Sequence, residues 1–365
     1  YEKEKANAGL FMTESDASNI VKQCDTIMDP DLLSAGEHFL QTTFQERAEA
    51  LVQEGLLTGE EMELYIAENN RILTTLVAPA YIALADAVFL LSGSGTHEGG
   101  LCELPSGGAY YLYLLRHNTG TSRTPEEIQV LLSDRFQLCY QNLQALVETY
   151  REQTGNTSIS LQDIPAFPVQ DAQEVLADLQ QRIQTDFPPL DALTKTLPTC
   201  RTKAVAESME EFTSPAFYLT PPIDDMGDNV IYVNNASTSP GLELYTTLAH
   251  EGYPGHLYQT VYSQLYENSR TKNPVRSALF YGGFVEGWAY YVENISYGYA
   301  SDVLLANGAS NITPLLVDIA CLERNLQVNL YCLLDLSIHY YGATRQDIYR
   351  SLAAFGMSDK DTADA

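Results

Sequence analysis

Apolar residues recur at i, i+3 and i+4 along most of this chain, the period of helices that bury one face. The pattern predicts helices over residues 31–56, 59–91, 125–153, 169–185, 241–268, 278–300, 312–341 and 345–354. Thr124-Pro125-Glu126-Glu127 opens the third of these. Threonine is the N-cap, proline takes the first helical position, and acids fill the first turn. Strand signals are few, confined to Ala216–Thr220 and Asn229–Val233. Gly93-Ser94-Gly95, Gly99-Gly100 and Pro105-Ser106-Gly107-Gly108 predict a loop-rich segment near 92–108, and a second covers 219–240. The expectation is a mainly α fold. It is one multi-helix domain over residues 1–365, with a small antiparallel β-sheet beside the helix at 241–268.

Charge narrows the function classes. A net charge of −28 and a pI near 4.4 argue against a nucleic-acid partner or an anionic membrane surface. They suit an exposed setting, favouring an extracellular or cell-surface location over the cytoplasm, and mildly favour cationic peptides. No uninterrupted apolar run reaches the ~18–20 residues of a bilayer span. The longest, Ala78–Leu91, is short and contains Asp86, so no membrane span is expected. The six cysteines (Cys24, Cys102, Cys139, Cys200, Cys321, Cys332) form no C-x-x-C pair, and free buried thiols are expected. Nothing in the sequence gives an oligomeric state.

The chemistry concentrates at His250-Glu251-Gly252-Tyr253-Pro254-Gly255-His256, after an apolar run through Leu242, Leu244, Tyr245 and Leu248. A His-Glu pair on a buried helix is how zinc peptidases present a metal ligand beside a general base. The usual H-E-x-x-H spacing is absent, because Pro254 stands four residues after His250. On a regular helix, positions i and i+6 lie roughly 120° apart and about 9 Å along the axis, too far to share one ion. Pro254 clashes with the carbonyl four residues back, and Gly255 tolerates left-handed backbone angles. The helix is therefore expected to break at Pro254-Gly255 and let His256 curl back towards His250.

The third ligand is expected from Gly282-Gly283-Phe284-Val285-Glu286-Gly287-Trp288-Ala289-Tyr290-Tyr291-Val292-Glu293. Glu286, Tyr290 and Glu293 share a helix face at i, i+4 and i+7. Carboxylates within an apolar segment call for a facing positive charge, and zinc held by His250, His256 and Glu286 supplies one. Glu293 either supports a ligand from behind or faces solvent.

Further stretches accompany these motifs: Gly99-Gly100-Leu101, Leu104-Pro105, Gly108-Ala109-Tyr110-Tyr111, Ser214–Tyr218 with Pro221-Pro222, Ile231–Asn234, and Asp335–His339. Together they resemble the bacterial "domain of unknown function 885" family, which is grouped with the gluzincin metallopeptidases. The resemblance runs from about residue 1 to 355. Relatives are usually longer at the N-terminus, so the chain resembles the C-terminal, site-bearing part. Many carry a second histidine after the motif, where this chain has Leu257, which leaves His256 as the second ligand. The resemblance implies a strand pairing with substrate backbone, with Val230–Asn234, including Tyr232 and Asn234, as that edge. A small hairpin that merely closes the domain is equally open.

The mechanism expected of such a site is hydrolysis of short peptides, with zinc activating water and Glu251 as general base. His339, Tyr340 and Tyr341 are candidate oxyanion donors, with Asp335 placed at i, i+4 to orient His339. A structural hydrogen bond explains Asp335 and His339 equally well. Arg324 and Arg345 are candidates for a substrate carboxylate. Two other classes stay open: a catalytically silent peptide-binding protein, and a zinc hydrolase of a non-peptide amide.

Overall fold

The structure is a computed structural model that describes residues 1–97, 99–194, 197–222, 227–270, 275, 279, 281–355 and 357, with the side chains of 267–270 excepted. The sequence reading takes one domain; the chain packs as two compact units. Tyr1–Glu98 with Val205–Thr213 forms one, and Gly99–Ala204 with Ser214–Ala365 the other.

The first unit holds α1 (Glu2–Asn7), α2 (Glu14–Ile27), α3 (Pro30–Ala35), α4 (Phe39–Gln53), α5 (Gly59–Ile72) and α6 (Ala78–Leu91). The expected helix 31–56 is two helices. Gly36, at φ 78°, ends α3, and the His38 ring accepts from Leu40 N–H to cap α4. α5 runs into α6 through a π-turn at Leu73–Val77, so Gly59–Leu91 is continuous. Pro79 cannot donate to the ladder, and the Thr74 and Thr75 hydroxyls bond back to carbonyls one turn earlier. By length and composition this helix passes what a bilayer span needs, whereas the sequence reading counts only Ala78–Leu91.

The second unit holds α7 (Gly107–Thr119), α8 (Pro125–Thr154), α9 (Ala172–Asp186), α10 (Leu242–Glu251), α11 (His256–Arg270), α12 (Gly282–Ala306), α13 (Thr313–His339) and α14 (Arg345–Ala353). Thr124 and Glu127 form the expected capping box on α8. Among the described residues three helices escaped the sequence reading: α1, α2 and α7. The last opens inside the expected loop, because Gly107 is there for space. A Cβ on it would lie 1.6 Å from the Leu101 carbonyl oxygen.

The sheet also differs from the expected antiparallel pair. β1 (Thr199–Ala204), β2 (Ala216–Leu219) and β3 (Asp228–Val233) lie in the order β1-β3-β2, with β1 parallel and β2 antiparallel to β3. β1 (Thr-Cys-Arg-Thr-Lys-Ala) has too little apolar alternation to be seen. β3 is thus the central strand, and Tyr232 and Asn234 belong to no edge of the sheet; among the described residues its edges are β1 and β2. Tyr232 stacks on Phe217, while Asn234 is buried with its Oδ1 accepting from Ala236 N–H.

The core of this unit wraps α10. Leu244, Tyr245, Leu248 and Ala249 are all buried, as expected of a helix that turns one apolar stripe to the core. α9, β2 and α12 pack against it, and α13 lies along α12 and α8.

Candidate metal centre

α10 stops where the sequence demands it. Glu251 is its last residue, Gly252 leaves the helix at φ −107° and ψ −104°, and α11 begins at His256. The Tyr253–Pro254 peptide is cis. Gly255 is needed for room, correcting the expectation of a left-handed angle: its φ is not positive, but a Cβ would sit 1.7 Å from the His250 carbonyl oxygen. Gly252 is similarly hemmed in by Leu176, Leu248 and Ile231. The break thus folds α11 back onto the end of α10, and the two imidazoles meet edge to face with ring centroids 4.8 Å apart.

α12 delivers the carboxylates. The Trp288 indole N–H donates to the Pro254 carbonyl at 2.8 Å, pinning the kink to this helix, and Gln259 donates to the Phe284 carbonyl at 3.1 Å. Glu286 Oε2 then lies 3.7 Å from His250 Nε2 and 3.6 Å from His256 Nε2. Two atoms each about 2.0–2.2 Å from a tetrahedral ion sit roughly 3.3–3.6 Å apart, so these three donors match one zinc ion with little adjustment. Glu251 is also close to both imidazoles, the three offering ligand atoms within 4.8 Å of one another. Proximity alone therefore leaves two choices for the third ligand. Glu286 Oε2 faces both imidazole Nε2 atoms, whereas Glu251 Oε2 also accepts from Tyr218 N–H at 2.9 Å.

One turn beyond Tyr290, Glu293 supports His250 from behind. Its carboxylate is buried and bridges two partners: Oε2 meets His250 Nδ1 at 3.0 Å, and Oε1 accepts from Arg324 Nε at 2.9 Å. The carboxylate thus does not face solvent. A proton on Nδ1 leaves the Nε2 lone pair directed at Glu286. His256 lacks such support, for its buried Nδ1 has no hydrogen-bond partner among the described residues.

The electrostatics follow from this packing. Burial pushes the His250 imidazole down, but the Glu293 bond and the carboxylates of Glu251, Glu293 and Glu286 outweigh it, and its pKa is raised. Burial and the neighbouring His250 charge lower His256, against the pull of Glu286. Glu251 is raised above the ordinary carboxylate range, chiefly by burial and despite His250 and the Tyr218 N–H. Glu293 is lowered, because its bonds to His250 and Arg324 overcome burial.

The centre lies in a cleft of about 1270 Å³. One wall is the β2 edge from Ser214 to Tyr218; opposite are Glu286, Tyr297, Glu323 and Arg324, with Ile164–Phe167 at one end. The histidine side chains are 20% and 13% exposed and that of Glu286 is 63% exposed, so the ligand atoms face open space. The site is an open-sided cleft.

The other expected site residues part company here. Among the described residues, His339, Tyr340, Tyr341, Asp335 and Arg345 do not line this cleft. Asp335 accepts from the Tyr111 hydroxyl at 2.6 Å rather than holding His339. The His339 ring instead accepts from Leu101 N–H at 3.3 Å. Tyr340 packs between Tyr111 and Tyr341. Arg345 opens α14. Arg324 does line the cleft, although its Nε is committed to Glu293. Sequence reasoning missed Tyr218, whose contribution is a backbone N–H, and Tyr297, one turn after Glu293 on α12. The tyrosine's spacing from Glu293 was the available signal.

A mainly helical protein with a mixed three-stranded sheet and a two-histidine, one-carboxylate cleft is the class these features define. The chain belongs to the family described as "Bacterial protein of unknown function (DUF885)", whose model matches residues 2–365. A solved structure described as "putative lipoprotein from Colwellia psychrerythraea" has the same fold, with a TM-score of 0.65 and 18% sequence identity. The match covers 98% of this chain and 59% of that one, so this chain spans little more than half the neighbour's length. No curated protein matches.

Proposed function

We propose that this protein is a zinc-dependent peptidase of gluzincin type acting on short peptides. The convergence of His250 Nε2 and His256 Nε2 on Glu286 Oε2 inside an open cleft carries the reading. Zinc bound there supplies a water of near-neutral acidity and a Lewis acid for the scissile carbonyl. Everything else is work for the chain. Glu251, raised in pKa by burial, takes the attacking water's proton and delivers it to the leaving amine. Tyr218 N–H holds that carboxylate beside the edge strand. Among the described residues β2 pairs with β3 alone, so apart from the Tyr218 N–H held by Glu251 its outer side can align a peptide backbone by strand addition, which favours a peptide over other amides. The neighbour's description also supports a cell-surface location, which fractionation of the native host would check.

The test is a peptide mixture digested by zinc-loaded protein and read by mass spectrometry, alongside acyl-amino acids. The parent should bind close to one zinc per chain and cut peptides. Glu251→Gln should keep the metal and lose about 10²–10⁴-fold in turnover. Unchanged turnover in that variant, or cleavage of acyl-amino acids alone, sinks the peptidase reading.

A further inference from the structure

Arg324 is the cleft's conspicuous cation, and the obvious role for it is to grip a substrate carboxylate. Its contacts point elsewhere. Nε donates to Glu293 Oε1 at 2.9 Å, and Nη1 reaches Gln327 Oε1 at 3.4 Å. Glu293 is buried on α12 and its second oxygen is on His250 Nδ1. Arginine, carboxylate and imidazole thus form one chain from α13 through α12 to α10.

A carboxylate 7% exposed is costly unless both of its oxygens are satisfied. With only His250 as a partner, the Glu293 side chain would be free to swing about its terminal torsions towards solvent. Arg324 removes that freedom by holding Oε1, which leaves Oε2 in one place. His250 is consequently fixed in both ring angle and tautomer. His256 has no equivalent support among the described residues, so the precision of the pair depends on His250.

We propose that Arg324 is a positioning residue for the metal centre, acting through Glu293 to orient the His250 ring. The inference rests on the reading of His250 as a metal ligand. It separates Arg324 from the carboxylate-binding role: a substrate clamp changes KM and leaves metal affinity alone, whereas a positioning residue changes metal affinity with no substrate present.

The experiment is a double-mutant cycle on the full chain, reading the zinc dissociation constant by chelator competition. Arg324→Gln and Glu293→Gln should each weaken binding by about 10–100-fold, the usual effect of losing an outer partner of a ligating histidine. In the Glu293→Gln background, adding Arg324→Gln should do little more, because the path is already cut. Arg324→Lys should recover part of the affinity. The visible spectrum of the cobalt-substituted protein should change in Arg324→Gln and return towards the parent in Arg324→Lys. Circular dichroism guards against misfolding, and the lysine variant keeps the test alive if the glutamine variant fails to fold. Parent-like zinc affinity in Arg324→Gln, or full additivity in the cycle, overturns the inference while the peptidase reading stands. Failure of the parent to bind zinc at all removes both.

Discussion

Two histidine–carboxylate constellations are written into the second unit, and only one of them became a candidate site. In the first, Glu293 holds His250 Nδ1 at 3.0 Å and the opposite nitrogen faces Glu286 across a cleft. In the second, Asp335 and His339 stand at the helical spacing that would let them pair, yet each is taken by another element. The Tyr111 hydroxyl binds Asp335 at 2.6 Å, and Leu101 N–H uses the lone pair of His339. The contrast lies less in residue type than in what is left over. His250 retains a nitrogen directed at open space and a second imidazole beside it, whereas His339 is part of a helix–helix seam. A glycine builds each arrangement. Gly255 lets the His250 carbonyl approach the kink, and Gly100 lets the end of α13 approach the turn that offers Leu101 N–H.

The largest expected effect separates the two directly. His256→Ala should reduce bound zinc from close to one equivalent per chain to a small residue, since an ion left with two protein ligands is held far more weakly. His339→Ala should leave metal content at the parent level. Elemental analysis of both purified variants decides it, and equal losses would mean that His339 shapes the site after all.

Next come the glycines. Gly255→Ala drives a Cβ to 1.7 Å from the His250 carbonyl oxygen, and Gly100→Ala drives one to 1.9 Å from that of Ile338. Both meet backbone, which cannot swing aside, so each should cost about 1–3 kcal/mol or more in denaturant unfolding. Only Gly255→Ala should also weaken zinc binding. If the two variants fell equally in stability and both kept zinc, the kink would be no part of the metal centre.

Much of this contrast was legible in the sequence. The helix break at Pro254-Gly255 was visible because proline cannot continue the hydrogen-bond ladder, and Glu286 and Glu293 were visible from their spacing inside an apolar segment. The seam around His339 was not. Its partners are Leu101 N–H, a backbone group, and Tyr111, at the far end of a segment whose glycines read as loop. Glycines chosen for close packing and glycines chosen for turns look alike in one dimension, which is also why α7 was missed. β1 was hidden because its burial does not alternate cleanly along Thr199–Ala204. The edge strand was misassigned for a related reason: which strand is central depends on β1, contributed from almost 30 residues before β3 in the sequence.

Trp288→Phe probes how the candidate site is joined to its carboxylates. The change removes one indole N–H from the Pro254 carbonyl and keeps an aromatic ring against Phe187 and Tyr258. A lost neutral hydrogen bond costs about 1 kcal/mol. Because this bond ties the kink to the helix bearing Glu286, zinc affinity should fall severalfold along with stability. A stability loss with unchanged zinc affinity would make Trp288 a packing residue only.

Tyr111→Phe is the gentlest change and falls on the seam. The phenol is buried and its ionisation is pushed far up, first by burial and then by the Asp335 carboxylate it binds. It is thus a donor at any working pH. Removing the hydroxyl leaves an Asp335 that is exposed enough to be rehydrated, so the unsatisfied-acceptor penalty is avoided and only the net bond is lost. The expected cost is about 1 kcal/mol, seen as a lower denaturant midpoint with an unchanged slope. Zinc content and peptide turnover should equal those of the parent, because Tyr111 and Asp335 touch neither the histidine pair nor the β2 edge. A fall in turnover at constant zinc would place the α7–α13 seam within the catalytic machinery and undo the separation on which the two constellations are told apart.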